Sequence, residues 1–108
     1  MIHLVHFWLK EEYQTEEVRN KFEAALEKLC QIPLAMQSSW GVPAKVMKRP
    51  VLDLSWDYNL ITEFETIEAH DEYQVDPVHV KFLDENKHYW EKVLVMDSEI
   101  IFSAPKRD

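Results

Sequence analysis

The stretch Ile2-His-Leu-Val-His-Phe-Trp-Leu9 decides the fold of this chain. Its β-branched and aromatic residues mark a strand. Alternation puts His3, Val5 and Phe7 on one face and Ile2, Leu4, His6 and Trp8 on the other. Both faces are largely apolar, which is the signature of a strand covered on two sides. The rest of the chain has to supply at least one of those covers.

Working outward, Thr15 is placed to cap a helix, with Glu16 and Glu17 in the first turn where the helix dipole favours acids. Val18, Phe22, Ala25, Leu26 and Leu29 then recur at helical spacing. Pro33 ends that helix. A second strand is expected over Leu34–Trp40, closed by Gly41, the single glycine in the chain. The segment Val42–Ser55 carries Lys45, Lys48, Arg49, Pro43 and Pro50 and reads as an ordered loop or a twisted hairpin. A third strand, SWDYNLITEF, spans Ser55–Phe64 with Trp56, Tyr58, Leu60 and Thr62 on one face. Thr66 caps a short helix through Tyr73. Pro77 starts another helix towards His88, its fixed φ and missing donor suiting a first helical turn. A final strand falls within Trp90–Phe102, with a polar tail from about residue 103. The order βαββαβ predicts an α+β, ferredoxin-like antiparallel sheet with helices on one face. The bare face then needs a cover, and a second copy of the chain is the expected one.

Length and composition fit a single domain over 1–108 with one packed core. Hydrophobic residues make up 46% and the net charge is −8, with 12 basic against 20 acidic residues. That balance, with no basic cluster, argues against nucleic-acid or anionic-membrane partners. The lone Cys30 excludes an intrachain disulfide and a cysteine metal motif. The apolar run Ile2–Leu9 is too short for a membrane span and has no basic lead. A cytoplasmic protein is expected.

The stretch His70–Phe82, HDEYQVDPVHVKF, holds Tyr73 and His79 on either side of a proline. A neutral imidazole removes a proton flanked by carbonyls, and a phenol donates to the resulting enolate oxygen. His79 as base and Tyr73 as donor would serve an aldol or Claisen cyclisation or an isomerisation without metal or organic cofactor. Phe7, Leu9, Phe22, Leu26 and Trp90 can line a chamber, and serve equally well as filled core. The structural alternatives are as simple: His79 bonding a backbone carbonyl, Tyr73 burying its ring. No HxH, HxxxH or HExxH spacing points to a metal, and His3 and His6 take opposite strand faces. One glycine cannot build a phosphate loop, and no serine sits in a nucleophile elbow. Cys30 shares a helix face with Leu26 and Leu29, as a buried inert thiol does.

Four segments, HLVHFWLK, TEEVRNKFEAALEKL, FETIEAHDEYQVDPVHVKF and YWEKVLVMD, resemble the Dabb family of stress-responsive dimeric α/β-barrel domains. The most specific part is an aromatic, two spacers, His or Asp, Pro, any residue, then His, reading Tyr73-Gln-Val-Asp76-Pro77-Val-His79. The resemblance implies a homodimer packed through the open sheet faces. It is strongest to plant polyketide cyclases of the family, and implies Tyr73 and His79 as the catalytic pair, with His3 and Trp90 in the pocket. Two positions depart from those cyclases: Tyr58 stands where a third-strand histidine is found, and Asp76 replaces another histidine. The expected substrate-binding set is His3, Tyr58, Trp90, Phe22, Leu26 and Phe7, and the expected ligand a small hydrophobic carbonyl or aromatic compound. The reading from another class is a non-catalytic, stress-associated dimeric scaffold or small-ligand-binding protein. A cofactorless oxygenase using Trp90 and Trp56 is a third.

Overall fold

In the computed structural model, residues 1–105 are described, and the end of the expected polar tail, 106–108, lies outside the described residues. Four strands form one antiparallel sheet: β1 (Ile2–Leu9), β2 (Gln37–Gly41), β3 (Tyr58–Glu63) and β4 (Trp90–Ser98). Their spatial order is β2-β3-β1-β4, so β1 is central and pairs with both β3 and β4. The helices are α1 (Glu16–Cys30), α2 (Ile67–Gln74) and α3 (Pro77–Asn86). This is the ferredoxin-like arrangement expected, with the second helical crossover split in two by Val75–Asp76.

Each helix starts at the cap the residues prescribe. Thr15, Thr66 and Asp76 accept from the backbone N–H of Val18, Ala69 and Val78 respectively. Asp76, one of the positions that departs from the plant cyclases, is therefore the N-cap of α3, with Pro77 in its first turn.

The alternation expected of β1 is observed. His3, Val5, Phe7 and Leu9 are buried beneath the helices, while Ile2, Leu4, His6 and Trp8 remain half-buried. Phe22, Leu26 and Leu29 of α1 pack onto the buried side with Tyr58, Leu60 and Phe64. Cys30, at the end of α1, is partly buried against this core.

Two strands are shorter than expected, each for a local reason. Ala35 N–H bonds back to the Ile32 carbonyl, making residues 32–35 a turn, and ladder pairing begins at Gln37 opposite Glu63. Before β3, the Asp53 carboxylate accepts from the Ser55 backbone N–H at 2.8 Å and from its hydroxyl at 2.6 Å. Such a side-chain turn competes with strand geometry. Trp56 consequently does not share a face with Tyr58: its indole donates to the Asp53 carbonyl and its ring meets His6 edge-on at 4.7 Å, on the opposite side of the sheet. Residues 42–57 form neither strand nor helix, resolving the loop-or-hairpin alternative in favour of a loop.

Candidate active site

The site is built where α2 ends and α3 begins. Gln74 is the last residue of α2, so its carbonyl has no partner in the helical ladder. His79, in the first turn of α3, approaches it with Nδ1 at 3.1 Å. A carbonyl only accepts, so Nδ1 carries the proton and Nε2 keeps its lone pair. Burial pushes the His79 pKa below its ordinary value of 6.5; the Gln74 carbonyl opposes this. Burial thus favours the neutral imidazole, and the Gln74 carbonyl selects the tautomer that leaves Nε2 unprotonated. The structural role foreseen for His79, a bond to a backbone carbonyl, is the one observed.

Tyr73, near the end of α2, is fully buried, and its ring lies 4.8 Å from that of His79. Burial pushes its phenol pKa up to about 12, with nearby Thr62 acting in the other direction. Among the described residues, its enclosed hydroxyl makes no hydrogen bond that meets ordinary geometry. The indole Nε1 of Trp90, at the start of β4, is likewise buried without a partner. Two buried donors left unpaired in one small region is uncommon, since each costs about 1–3 kcal/mol.

Both belong to residues around one cavity. It has a volume of about 140 Å³, and its walls include His3, Phe7, Tyr73, His79, Trp90 and Val95. An apolar cavity of similar size, about 150 Å³, accepts a benzene molecule. Larger clefts lie elsewhere, about 410 Å³ beside α1 and α3 and about 580 Å³ beside Met1 and Glu99, and neither includes Tyr73 or His79. Size therefore does not pick out a candidate; the grouping of an oriented imidazole with two residues carrying unpartnered donors around one cavity does.

Phe22, Leu26 and Tyr58 do not line this cavity. They are filled core behind it, all at 0% exposure, with Phe22 meeting Phe7 edge-on at 5.2 Å and Tyr58 at 5.3 Å. Leu9 is likewise core. The Tyr58 hydroxyl donates to Glu23 at 2.6 Å, and Arg19 lies over its ring while pairing with Asp57 at 2.8 Å. No residue of the 42–57 loop is among the cavity walls.

His3 is brought in from β1, 6.2 Å from Tyr73 by ring centroids. Its Nδ1 lies 2.5 Å from a carboxylate oxygen of Asp97 on β4. His70 of α2 sits beside both, with its ring 5.1 Å from that of His3. Neither His70 nor Asp97 is recognisable from sequence as a site residue. The only available signal is register: Asp97 pairs with His3 across β1 and β4 and so shares its face.

Comparison with known proteins agrees with this architecture. The model of the Stress responsive A/B Barrel Domain, Dabb, matches residues 1–100. The chain belongs to the Dabb family. Among curated proteins, olivetolic acid cyclase of Cannabis sativa is 25% identical over 95 residues, covering 88% of this chain and 91% of the cyclase. Among solved structures, a dimeric ferredoxin-like protein of unknown function from Bacteroides fragilis superposes with a TM-score of 0.69 at 25% identity, covering 92% of this chain and 94% of the other. The hydroxynitrile lyase from Passiflora edulis has a TM-score of 0.75 at 19% identity, with 96% and 95% covered. This Dabb chain thus shares the ferredoxin-like fold with proteins described as a lyase and as a dimer. Among its described residues, no helix is long and apolar enough to cross a membrane.

Proposed function

We propose that this Dabb chain is a homodimeric, cofactor-free enzyme for small carbonyl compounds, with His79 as the base and Tyr73 as the donor to the reacting oxygen. The observation that carries this reading is the His79 imidazole, its Nδ1 committed to the Gln74 carbonyl, in one cavity wall with Tyr73 and Trp90, whose buried donors Oη and Nε1 are unpartnered among the described residues. A carbonyl oxygen reaching the Tyr73 hydroxyl would give it the well-formed bond it lacks among the described residues. His79 Nε2 takes the proton from the carbon next to that carbonyl, and the Tyr73 hydroxyl, held as a neutral phenol, donates to the enolate oxygen. In an aldol cyclisation the enolate carbon then attacks a second carbonyl, whose oxygen recovers the proton from the imidazolium. In an isomerisation the proton returns to a different carbon. Each step balances without a metal or organic cofactor. His3, Phe7 and Trp90 line the chamber; Phe22, Leu26 and Tyr58 hold its wall from behind.

The dimer is supported by the other side of the sheet. Leu4, Ile61, Leu94 and Met96 share that face by ladder register, with Ile61 39%, Leu94 38% and Met96 50% exposed. A contiguous apolar surface of this kind calls for a cover. A self-complementary twofold pairing of two sheets supplies it. Acidic charge and a single cysteine support a cytoplasmic setting and a small-molecule rather than nucleic-acid or membrane partner.

The test is an NMR titration of the five imidazoles, with His79 assigned through His79→Asn, in the presence and absence of β-diketones and alkyl-dihydroxybenzoates. A His79 pKa below 6.5 that moves on ligand addition is the expected result. A His79 that titrates near about 6.5 and ignores every ligand would favour the non-catalytic scaffold.

A further inference from the structure

We infer that His3, His70 and Asp97 form a binding site for one divalent transition-metal ion at the wall of the chamber. The three residues come from β1, α2 and β4, and one ligand atom from each lies within 4.8 Å of the others. The site shares His3 with the chamber wall but uses neither His79 nor Tyr73, and its test reads metal binding rather than turnover.

Three observations converge. Donor atoms bound to one ion at about 2.0–2.2 Å sit roughly 3–4 Å from one another. His70 Nε2 is 3.9 Å from Asp97 Oδ2, too far for a hydrogen bond and suitable for a shared ion. His70 is also oriented for the task. Its Nδ1 lies 3.1 Å from the Asp71 carboxylate, which only accepts, so the proton is on Nδ1 and Nε2 keeps its lone pair. The Gln74 amide now donates to that lone pair at 3.2 Å, and a bound ion takes its place. A carboxylate behind a histidine whose other nitrogen faces an acidic oxygen is the usual outer support of a metal ligand. Finally, the side chains grade from interior to solvent, at 7% exposure for His3, 16% for His70 and 41% for Asp97. A cation therefore has a route in past Asp97 and a shielded seat beside His3.

On binding, the ion replaces the proton on His3 Nδ1, which now faces Asp97 Oδ1 at 2.5 Å, and that proton goes to solvent. Two imidazoles and one carboxylate select zinc, cobalt, nickel or copper over magnesium or calcium, whose sites are built from oxygen. Three protein ligands leave a coordination position for water or for a donor atom of a chamber occupant. No local spacing reveals the site because its ligands are far apart in the chain, at 3, 70 and 97.

The experiment uses the full-length, untagged protein after chelator treatment, titrated with Zn²⁺ by calorimetry and with Co²⁺ by visible absorption. One equivalent per chain is expected, with Zn²⁺ moving the imidazole ¹⁵N resonances of His3 and His70. Asp71→Asn is expected to weaken binding by roughly 10–100-fold, and His70→Gln and Asp97→Asn by more than that. Both positions reach solvent, so each variant is checked for a native melt before titration. The inference is overturned if no ion binds beyond weak non-stoichiometric association. It is equally overturned if His70→Gln and Asp97→Asn bind as tightly as the parent, or if the resonances that move belong to His6, His79 or His88 instead.

Discussion

Tyr58 and Tyr73 are both fully buried and both carry a phenol pushed up to about 12, chiefly by burial. Their hydroxyls differ. That of Tyr58 donates to Glu23 at 2.6 Å within a cluster that includes Arg19 and Asp57. Among the described residues, that of Tyr73 makes no well-formed bond, and neither does the indole of Trp90, which lines the same cavity. One end of the molecule is closed, with its polar groups paired to each other. The other end holds donors in reserve. Burial and pKa alone would have ranked the two tyrosines equally; the state of the hydrogen bond separates them.

The strongest way to break this contrast is to remove the base. His79→Asn can still donate an amide hydrogen to the Gln74 carbonyl, so the α2–α3 junction is expected to hold. Turnover of a responsive carbonyl substrate should fall by roughly 10²–10⁴-fold, measured by steady-state kinetics beside a thermal melt. Retained turnover would sink the assignment. Tyr73→Phe should lower kcat by roughly 10²–10³-fold, the cost of one donor at the reacting oxygen. Because it deletes an unpaired hydroxyl, its stability should stay within about 0.5 kcal/mol of the parent or rise.

Tyr58→Phe is expected to behave in the opposite way, losing about 1–2 kcal/mol of stability in urea titration with the loss of a bond to a charged, partly exposed acceptor. A Tyr73→Phe protein that unfolds more readily than Tyr58→Phe would invert the comparison. Asp76→Ala should cost about 1 kcal/mol through the lost α3 cap, and near-parental stability in Asp76→Ser and Asp76→Asn would confirm capping as its role.

The smallest effect is a pH dependence. With a His79 pKa lowered by burial, the unfolded chain binds the proton more tightly than the folded one. The neutral imidazole's contribution is therefore complete above pH 6.5 and is lost as pH falls below 6.5 through the lowered folded value. His6, lowered mainly by burial and opposed by Asp53, adds a slope of the same sign. Melting temperature followed from pH 7.5 to 5 should fall less steeply in His79→Asn than in the parent. An unchanged slope would mean that His79 is not held neutral in the fold.

Much of this was legible in the chain. Alternation over Ile2–Leu9 announced a strand with two apolar faces, and Thr15, Thr66 and Pro77 announced the helix starts, because capping and pleating act over a few residues. The shortened β2 and β3 were not legible, since the turn at Ile32–Ala35 and the Asp53 side-chain turn override strand propensity only once their hydrogen bonds form. Trp56 took the opposite face for the same reason.

The sequence by itself determined the ferredoxin-like order of elements, the buried face of β1, and the closeness of Tyr73 to His79, which a proline-led helix start places within one short hairpin of helices. Only the tertiary structure decided which tyrosine keeps a free hydroxyl, that Phe22 and Leu26 fill the core rather than line the chamber, and that His3, His70 and Asp97 meet. The physical reason is range. Periodicity and caps are written in neighbouring residues, whereas the satisfaction of a buried polar group depends on which distant side chain the packing brings against it.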